Sequence, residues 1–78
     1  MEKRWGVERY WTSYFADDKA GCAGQRLHRE RFGVTAIAAE VVYWDAAGEF
    51  VAKTIDGDVP VEIAEAVFAE ARQAIKLR

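Results

Sequence analysis

The sequence predicts an α+β fold in which a small antiparallel sheet of three or four strands packs against one C-terminal helix. Three observations support this prediction. Two β-rich runs flank a turn at residues 45–48, an amphipathic helical pattern spans about 60–76, and an aromatic stretch, ERYWTSYF, lies near the N-terminus. A chain of 78 residues is expected to form a single domain over residues 1–78.

The aromatic stretch, at about residues 7–16, fits both a strand and a helix. Its large side chains recur at the helical spacing i, i+3, i+4, i+7, i+8; they are Val7, Tyr10, Trp11, Tyr14 and Phe15. Tyrosine, tryptophan, threonine and phenylalanine are nevertheless strong strand formers. The acidic pair Asp17–Asp18 would also lie unfavourably at a helix C-terminus. We therefore favour a strand and keep the helix as the alternative.

Residues 17–24, DDKAGCAG, are predicted to form a loop. Residues 25–32, QRLHRERF, are ambiguous. They could pair back on the aromatic stretch as a second strand, or form a short helix closed by Gly33.

The segment 36–55 is predicted to be a β-hairpin. Asp45 and Gly48 occupy the first and fourth positions of its loop, as a type I turn prefers. Pairing backwards from this turn fixes the register: Trp44 with Glu49, Tyr43 with Phe50, Val42 with Val51, Val41 with Ala52, and Glu40 with Lys53. The last pair joins opposite charges, which supports this register.

The register also divides the hairpin into two faces. The face assigned to the core is apolar throughout and consists of Ile37, Ala39, Val41, Tyr43, Phe50 and Ala52. The other face is Ala38, Glu40, Val42, Trp44, Val51, Lys53 and Ile55. Since this second face is more apolar than one in contact with water, we expect the N-terminal segment or another chain to cover it.

A helix over about 60–76 follows the turn DGDVP, with Pro60 in its first turn. Acidic residues gather at its start and basic residues at its end, so both ends complement the helix dipole; the basic residues are Arg72, Lys76 and Arg78. The apolar stripe is Ile63, Val67, Phe68, Ala71, Ala74 and Ile75. We expect it to pack on the face that carries Tyr43 and Phe50.

Composition indicates a surface made for contact with another macromolecule. Hydrophobic residues make up 51% and aromatic residues 13% of the chain, while so small a domain buries only about 60% of its surface. A homodimer would shelter the surplus most simply. The net charge of −2 argues against a general polyanion binder, although residues 1–32 carry a net +2 and residues 33–78 a net −4.

A cytoplasmic location is expected. The single cysteine, Cys22, excludes an internal disulfide, and we find neither a leader pattern nor an apolar run long enough to cross a membrane.

No catalytic residue, metal site or cofactor is predicted. His28 is the only histidine, and no partner or cavity for it can be assigned from the sequence. One histidine and one cysteine are too few for a zinc site.

Partner binding is predicted for two groups of residues. The first combines arginines with aromatic rings, a composition typical of interaction hot spots and of platforms for single-stranded nucleic acid; it comprises Tyr10, Trp11, Tyr14, Arg26, Arg29, Arg31 and Trp44. The second is acidic and could engage a basic groove; it comprises Asp56, Asp58, Glu62 and Glu65.

The hairpin-then-helix run VVYWDAAGEFVAKTIDGDVPVEIAEAVFAEA, together with the lack of active-site chemistry, resembles small phage-encoded inhibitors of the anti-CRISPR type. These are often short, slightly acidic, cofactor-free single domains built from a small sheet and a helix. The resemblance implies a CRISPR effector complex as the target.

The leading hypothesis is a non-enzymatic protein-binding module that inhibits or modulates a larger nucleic-acid-handling complex by occupying a binding surface. The alternative is a small dimeric nucleic-acid-binding regulator that uses the arginine-aromatic surface. An enzyme completed by a second chain around His28 or Cys22 is the third hypothesis.

Overall fold

The computed structural model describes residues 1–75 of the chain. In this part, one antiparallel sheet holds five strands in chain order, and one helix follows. The elements are β1 (Glu2–Trp5), β2 (Glu8–Asp17), β3 (Cys22–Arg31), β4 (Val34–Trp44), β5 (Glu49–Thr54) and α1 (Val61–Ile75). The predicted α+β class is confirmed, but the sheet has five strands and not three or four.

The two ambiguous N-terminal segments are both strands. β3 lies at the centre of the sheet, with β2 on one side and β4 on the other. Because a central strand satisfies its backbone groups along both edges, this pairing outweighs the helical spacing of residues 7–16. The expected loop 17–24 is shorter, since β2 continues through Asp17 and β3 begins at Cys22.

The strand that the sequence did not reveal is β1. Its four residues read EKRW, all are exposed, and they show no alternation of apolar and polar side chains. β1 pairs with β2 from Glu2–Trp11 to Trp5–Glu8. Its strand conformation therefore depends on β2 and not on its own composition.

The β3–β4 connection is a two-residue turn, not the end of a helix. Phe32 and Gly33 both have positive φ, +50° and +79°, as a type I′ turn requires. Glycine adopts this conformation freely, whereas a bulky residue seldom does. The Phe32 side chain is also 80% exposed, so packing within the described chain does not offset the strain.

The predicted hairpin register is the observed one, from Trp44–Glu49 to Glu40–Lys53. The face assignment is wrong at two positions, because β4 contains a bulge at Ala38, where the pairing steps from Leu27–Ala39 to His28–Ile37. Ala38 consequently turns into the core and is 0% exposed, while Ile37 lies on the opposite face and is 38% exposed.

The core lies between α1 and one face of the sheet. It consists of Tyr10, Leu27, Ala38, Val41, Ile63, Val67 and Ala71. The helix packs on the predicted face of the hairpin, which carries Tyr43 and Phe50, but it lies mainly over β3 and β4. Phe50 on β5 therefore remains 37% exposed. Lys76 and Arg78, predicted to complement the helix dipole, lie outside the described residues.

A network around Arg29 holds the start of α1 against the sheet. Arg29 is buried on β3. Its guanidinium donates hydrogen bonds to the backbone carbonyl oxygen of Asp58 at 3.0 Å and to that of Asp56. It also donates to the Asp56 carboxylate at 3.2 Å. Glu8 lies on the other side of this guanidinium, 3.9 Å away. The connection between β5 and α1 is thereby fixed to the central strand.

Glu8 completes this network as a buried carboxylate. It accepts hydrogen bonds from the Tyr10 hydroxyl at 3.0 Å and from Arg31 Nε at 2.8 Å. Burial by itself raises the pKa of Glu8, but the hydrogen bonds from Arg31 and Tyr10 and the charges of Arg31 and Arg29 outweigh burial and hold the pKa below its ordinary value.

We expect the free energy of unfolding to decrease on acidification, in part through Glu8. The unfolded chain takes up this proton near the ordinary pKa of 4.5, so the stabilisation is fully present above that pH. It is lost as the pH falls through the lower pKa of the folded carboxyl. Urea unfolding between neutral pH and about pH 3 measures this dependence.

The variant Glu8→Gln should show a flatter pH profile than the unmodified protein. Glu65→Gln, an exposed glutamate on α1, serves as the control and should retain the original slope. Equal slopes for Glu8→Gln and the unmodified protein would contradict the role of the Glu8 carboxylate.

Gly24 on β3 has no room for a side chain beside β4. A Cβ atom at this position would lie 2.1 Å from the carbonyl oxygen of Val41. That oxygen belongs to the backbone, so no side-chain rotation can relieve the contact, and the strands would have to separate.

We therefore expect Gly24→Ala to destabilise the protein by about 1–3 kcal/mol or more, as overpacking does. Chemical denaturation of the variant tests this. Thr35→Ala, an exposed change on β4, is the control and should stay within about 0.5 kcal/mol of the unmodified protein. A Gly24→Ala variant as stable as this control would show that the strands accommodate the methyl group.

Candidate functional site

The face of the sheet opposite α1 has no covering element within residues 1–75. Because side chains alternate along each strand, the strand pairings define which residues point to this side. We call it the open face; its residues are Glu2, Arg4, Arg9, Trp11, Ser13, Phe15, Asp17, Cys22, Gly24, Arg26, His28, Glu30, Thr35, Ile37, Glu40, Val42, Trp44, Glu49, Val51 and Lys53. The N-terminal segment was one of the two elements expected to cover the second face of the hairpin. It extends the sheet and does not cover that face.

Trp11, His28 and Arg9 form a stack on the open face. Trp11 and His28 are paired across β2 and β3, and their rings lie nearly parallel, with centroids 5.3 Å apart and an interplanar angle of 12°. The guanidinium of Arg9 lies 4.5 Å from the centroid of the Trp11 ring. Such cation–π contacts hold flat groups at the surface in a fixed orientation.

Arg26 forms the second stack. Its guanidinium lies 4.5 Å from the centroid of the Phe15 ring, and its Nε donates to Glu40 Oε2 at 2.6 Å. Glu40 also faces Lys53 across β4 and β5. Carboxylates therefore neutralise much of the positive charge on this face, as Glu2 does for Arg9 at 3.8 Å.

An apolar patch lies beside these stacks. Phe15, Val42 and Val51 fall in one row across the strands, with Gly24 between the first two, and Trp44 lies two residues beyond Val42 on β4. Trp44 is 39% and Val51 49% exposed. Since exposed apolar side chains that are contiguous mark interaction sites, this patch is the centre of the candidate site.

The predicted site residues are divided between the two sides of the molecule. Trp11, Arg26 and Trp44 lie on the open face. Tyr10 and Arg29 are buried on the side of α1 and cannot contribute to a surface. The remaining predicted residues are exposed on the α1 side of the sheet, in the β5–α1 connection or on α1: Tyr14, Arg31, Asp56, Asp58, Glu62 and Glu65.

Sequence reasoning did not select Arg9, Phe15, His28 or Glu40 for the site. The alternation of β2 places Arg9 and Phe15 with Trp11, so the strand interpretation contained the signal for these two. His28 and Glu40 join them only through the pairings Trp11–His28 and Arg26–Glu40, which the ambiguous reading of residues 25–32 did not provide.

Strand pairing also brings Ser13 to His28, with Ser13 Oγ 2.8 Å from His28 Nε2. A catalytic pair needs a second group that orients the imidazole. Among the described residues, His28 contacts the Trp11 ring and no carboxylate. The described part of the chain also contains no cluster of three or more potential metal ligands.

Within residues 1–75, the helix has neither the length nor the hydropathy of a membrane-crossing segment. Comparison of the chain with protein-family models, with curated proteins and with solved structures found no match.

Proposed function

We propose that the protein is a non-enzymatic protein-recognition module whose open face covers a binding surface of a larger assembly. The observation that supports this proposal is the combination of two arginine–aromatic stacks with an exposed apolar patch on a face that α1 does not cover. The chain's resemblance to small phage-encoded inhibitors suggests a nucleic-acid-handling complex, such as a CRISPR effector, as the assembly. Inhibition would follow from occupation of the surface.

The chemistry of the open face fits a protein partner. Tryptophan and arginine are enriched among residues that contribute most to protein–protein binding, and such residues cluster near the centre of an interface. Trp44 and Val51 supply apolar area, while the ion pair of Arg26 with Glu40 presents balanced charge next to it. A partner with an apolar centre and a mixed-charge rim would complement this arrangement.

A single-stranded nucleic acid is the second candidate partner, because aromatic rings beside an arginine, as in the Trp11, His28 and Arg9 stack, are the composition of surfaces on which bases stack. Binding of this kind needs cations that are free to contact phosphate. Arg26 and Arg9 each already have a carboxylate partner, so we rank the protein partner first.

We expect Trp44→Ala and Val51→Glu to weaken partner binding by about 30-fold or more, the effect of losing a hot-spot contact of about 2 kcal/mol. The immobilised protein is incubated with purified nucleic-acid-handling complexes, and the retained complex is quantified. Glu65→Gln, on the opposite side of the molecule, is the matched control and should bind like the unmodified protein.

The same variants are tested in parallel with labelled single-stranded DNA and RNA at low and high salt. Retention of a protein complex that Val51→Glu abolishes supports the proposal. Salt-sensitive nucleic-acid binding that requires Arg9 and Trp11, without any retained protein, would replace it with the second candidate.

A further inference from the structure

We propose that the groove between β5 and α1 binds an extended peptide segment of another protein, which adds to the sheet as a sixth strand. The segment carries two apolar side chains at alternate positions, followed two residues later by an acidic side chain that faces Arg72. This site lies on the side of the sheet opposite the open face, so the inference is independent of the proposed function.

β5 provides the backbone half of this site. Within the described residues it pairs only with β4, so its other edge carries unpaired N–H and C=O groups. All six of its residues are exposed, and the strand contains no proline. An exposed sheet edge is the feature that an added strand recognises through main-chain hydrogen bonds.

α1 provides the second wall. Because the helix packs over β3 and β4, it leaves a groove above the side chains of β5. Two hollows lie along this groove. The first is lined by Val41, Phe50, Ala52, Phe68 and Arg72. The second is lined by Leu27, Ala39, Glu40, Val41, Ala52, Lys53, Thr54, Val59, Ala64, Val67 and Phe68. Val41, Ala52 and Phe68 line both, so the two hollows adjoin each other.

The spacing of the hollows matches an added strand. On β5, the first hollow is lined by Phe50 and Ala52 and the second by Ala52 and Thr54, so the two are offset along the strand by about two residues. Alternate side chains of an extended chain are separated by roughly the same distance, about 6.6–6.8 Å. Two successive side chains on one face of the added strand would therefore enter the two hollows. The lining is apolar except at its ends, so valine-sized aliphatic side chains fit.

Arg72 fixes the direction of the segment. It is exposed and has no ion-pair partner among the described residues. It lies with Phe50 at one end of the groove, while Thr54 lies at the other end. In a segment that runs antiparallel to β5, the acidic side chain follows the two apolar ones and reaches Arg72.

A capped peptide with the core Thr-Val-Thr-Val-Thr-Glu-Thr tests the inference by titration into the isotope-labelled protein, with amide chemical shifts as the readout. We expect saturable shifts confined to β5 and the adjacent side of α1, and slower amide exchange along β5. Ala52→Phe fills the groove at an exposed position and should abolish these shifts. Val51→Glu changes the neighbouring residue on the open face and should leave them intact.

The charge is tested separately. Arg72→Gln should weaken binding of the glutamate peptide roughly two- to fivefold, the effect of an exposed ion pair, and should not change binding of the same peptide with glutamine. No saturable shift at millimolar peptide, or shifts centred on the open-face residues of β2 and β3, would overturn the inference. A dimer in sedimentation, together with slow exchange of the outer-edge β5 amides in the absence of peptide, would also overturn it. Because Val51→Glu affects only the open face and Ala52→Phe only the groove, failure of one proposal is distinguishable from failure of the other.

Discussion

The buried guanidinium of Arg29 determines where everything after β5 lies. It holds the carbonyl oxygens of Asp56 and Asp58 against the central strand, and α1 begins at Val61, directly after this connection. A buried cation left without these partners would carry a large desolvation cost, so the connection and the helix have one favourable side of the sheet to occupy. The opposite side is left uncovered as a direct consequence.

One helix cannot cover a five-stranded sheet, and this mismatch creates both candidate surfaces. α1 shelters β3 and β4, so the core is confined to the middle of one face. The other face offers rings and guanidinium groups in a flat arrangement, whereas the β5 edge offers backbone groups beside an apolar groove. The two surfaces differ in chemistry because one is a sheet face and the other a sheet edge.

Local signals in the sequence were sufficient for the hairpin and the helix. The Asp45–Gly48 turn and the Glu40–Lys53 charge pair determined the register, and the stripe through Ile63, Val67 and Ala71 identified the buried side of α1. Features that depend on residues far apart in the chain could not be predicted from local patterns in the sequence. β1 forms because β2 pairs with it, and the bulge that buries Ala38 reflects the fit between β3 and β4.

The same distinction applies to the candidate site. Trp11, Arg26 and Trp44 could be selected from composition, but the buried position of Tyr10 depends on which side of β2 faces the helix. Arg29 was assigned to a surface as part of the arginine-aromatic group, and exposure is the usual state of an arginine. Its burial beside Glu8 and Asp56 could be recognised only once residues far apart in the chain had been brought together.

The strands lie in the sheet in the order in which they occur in the chain. Every β-pairing therefore closes a short loop, and such local topologies incur little chain entropy and assemble rapidly. During synthesis from the N-terminus, all five strands are made before Ile63 and Val67 of α1. Before α1 is made, Tyr10 and Leu27 have no helix to cover them, so a segment synthesised after the whole sheet seals the hydrophobic interior.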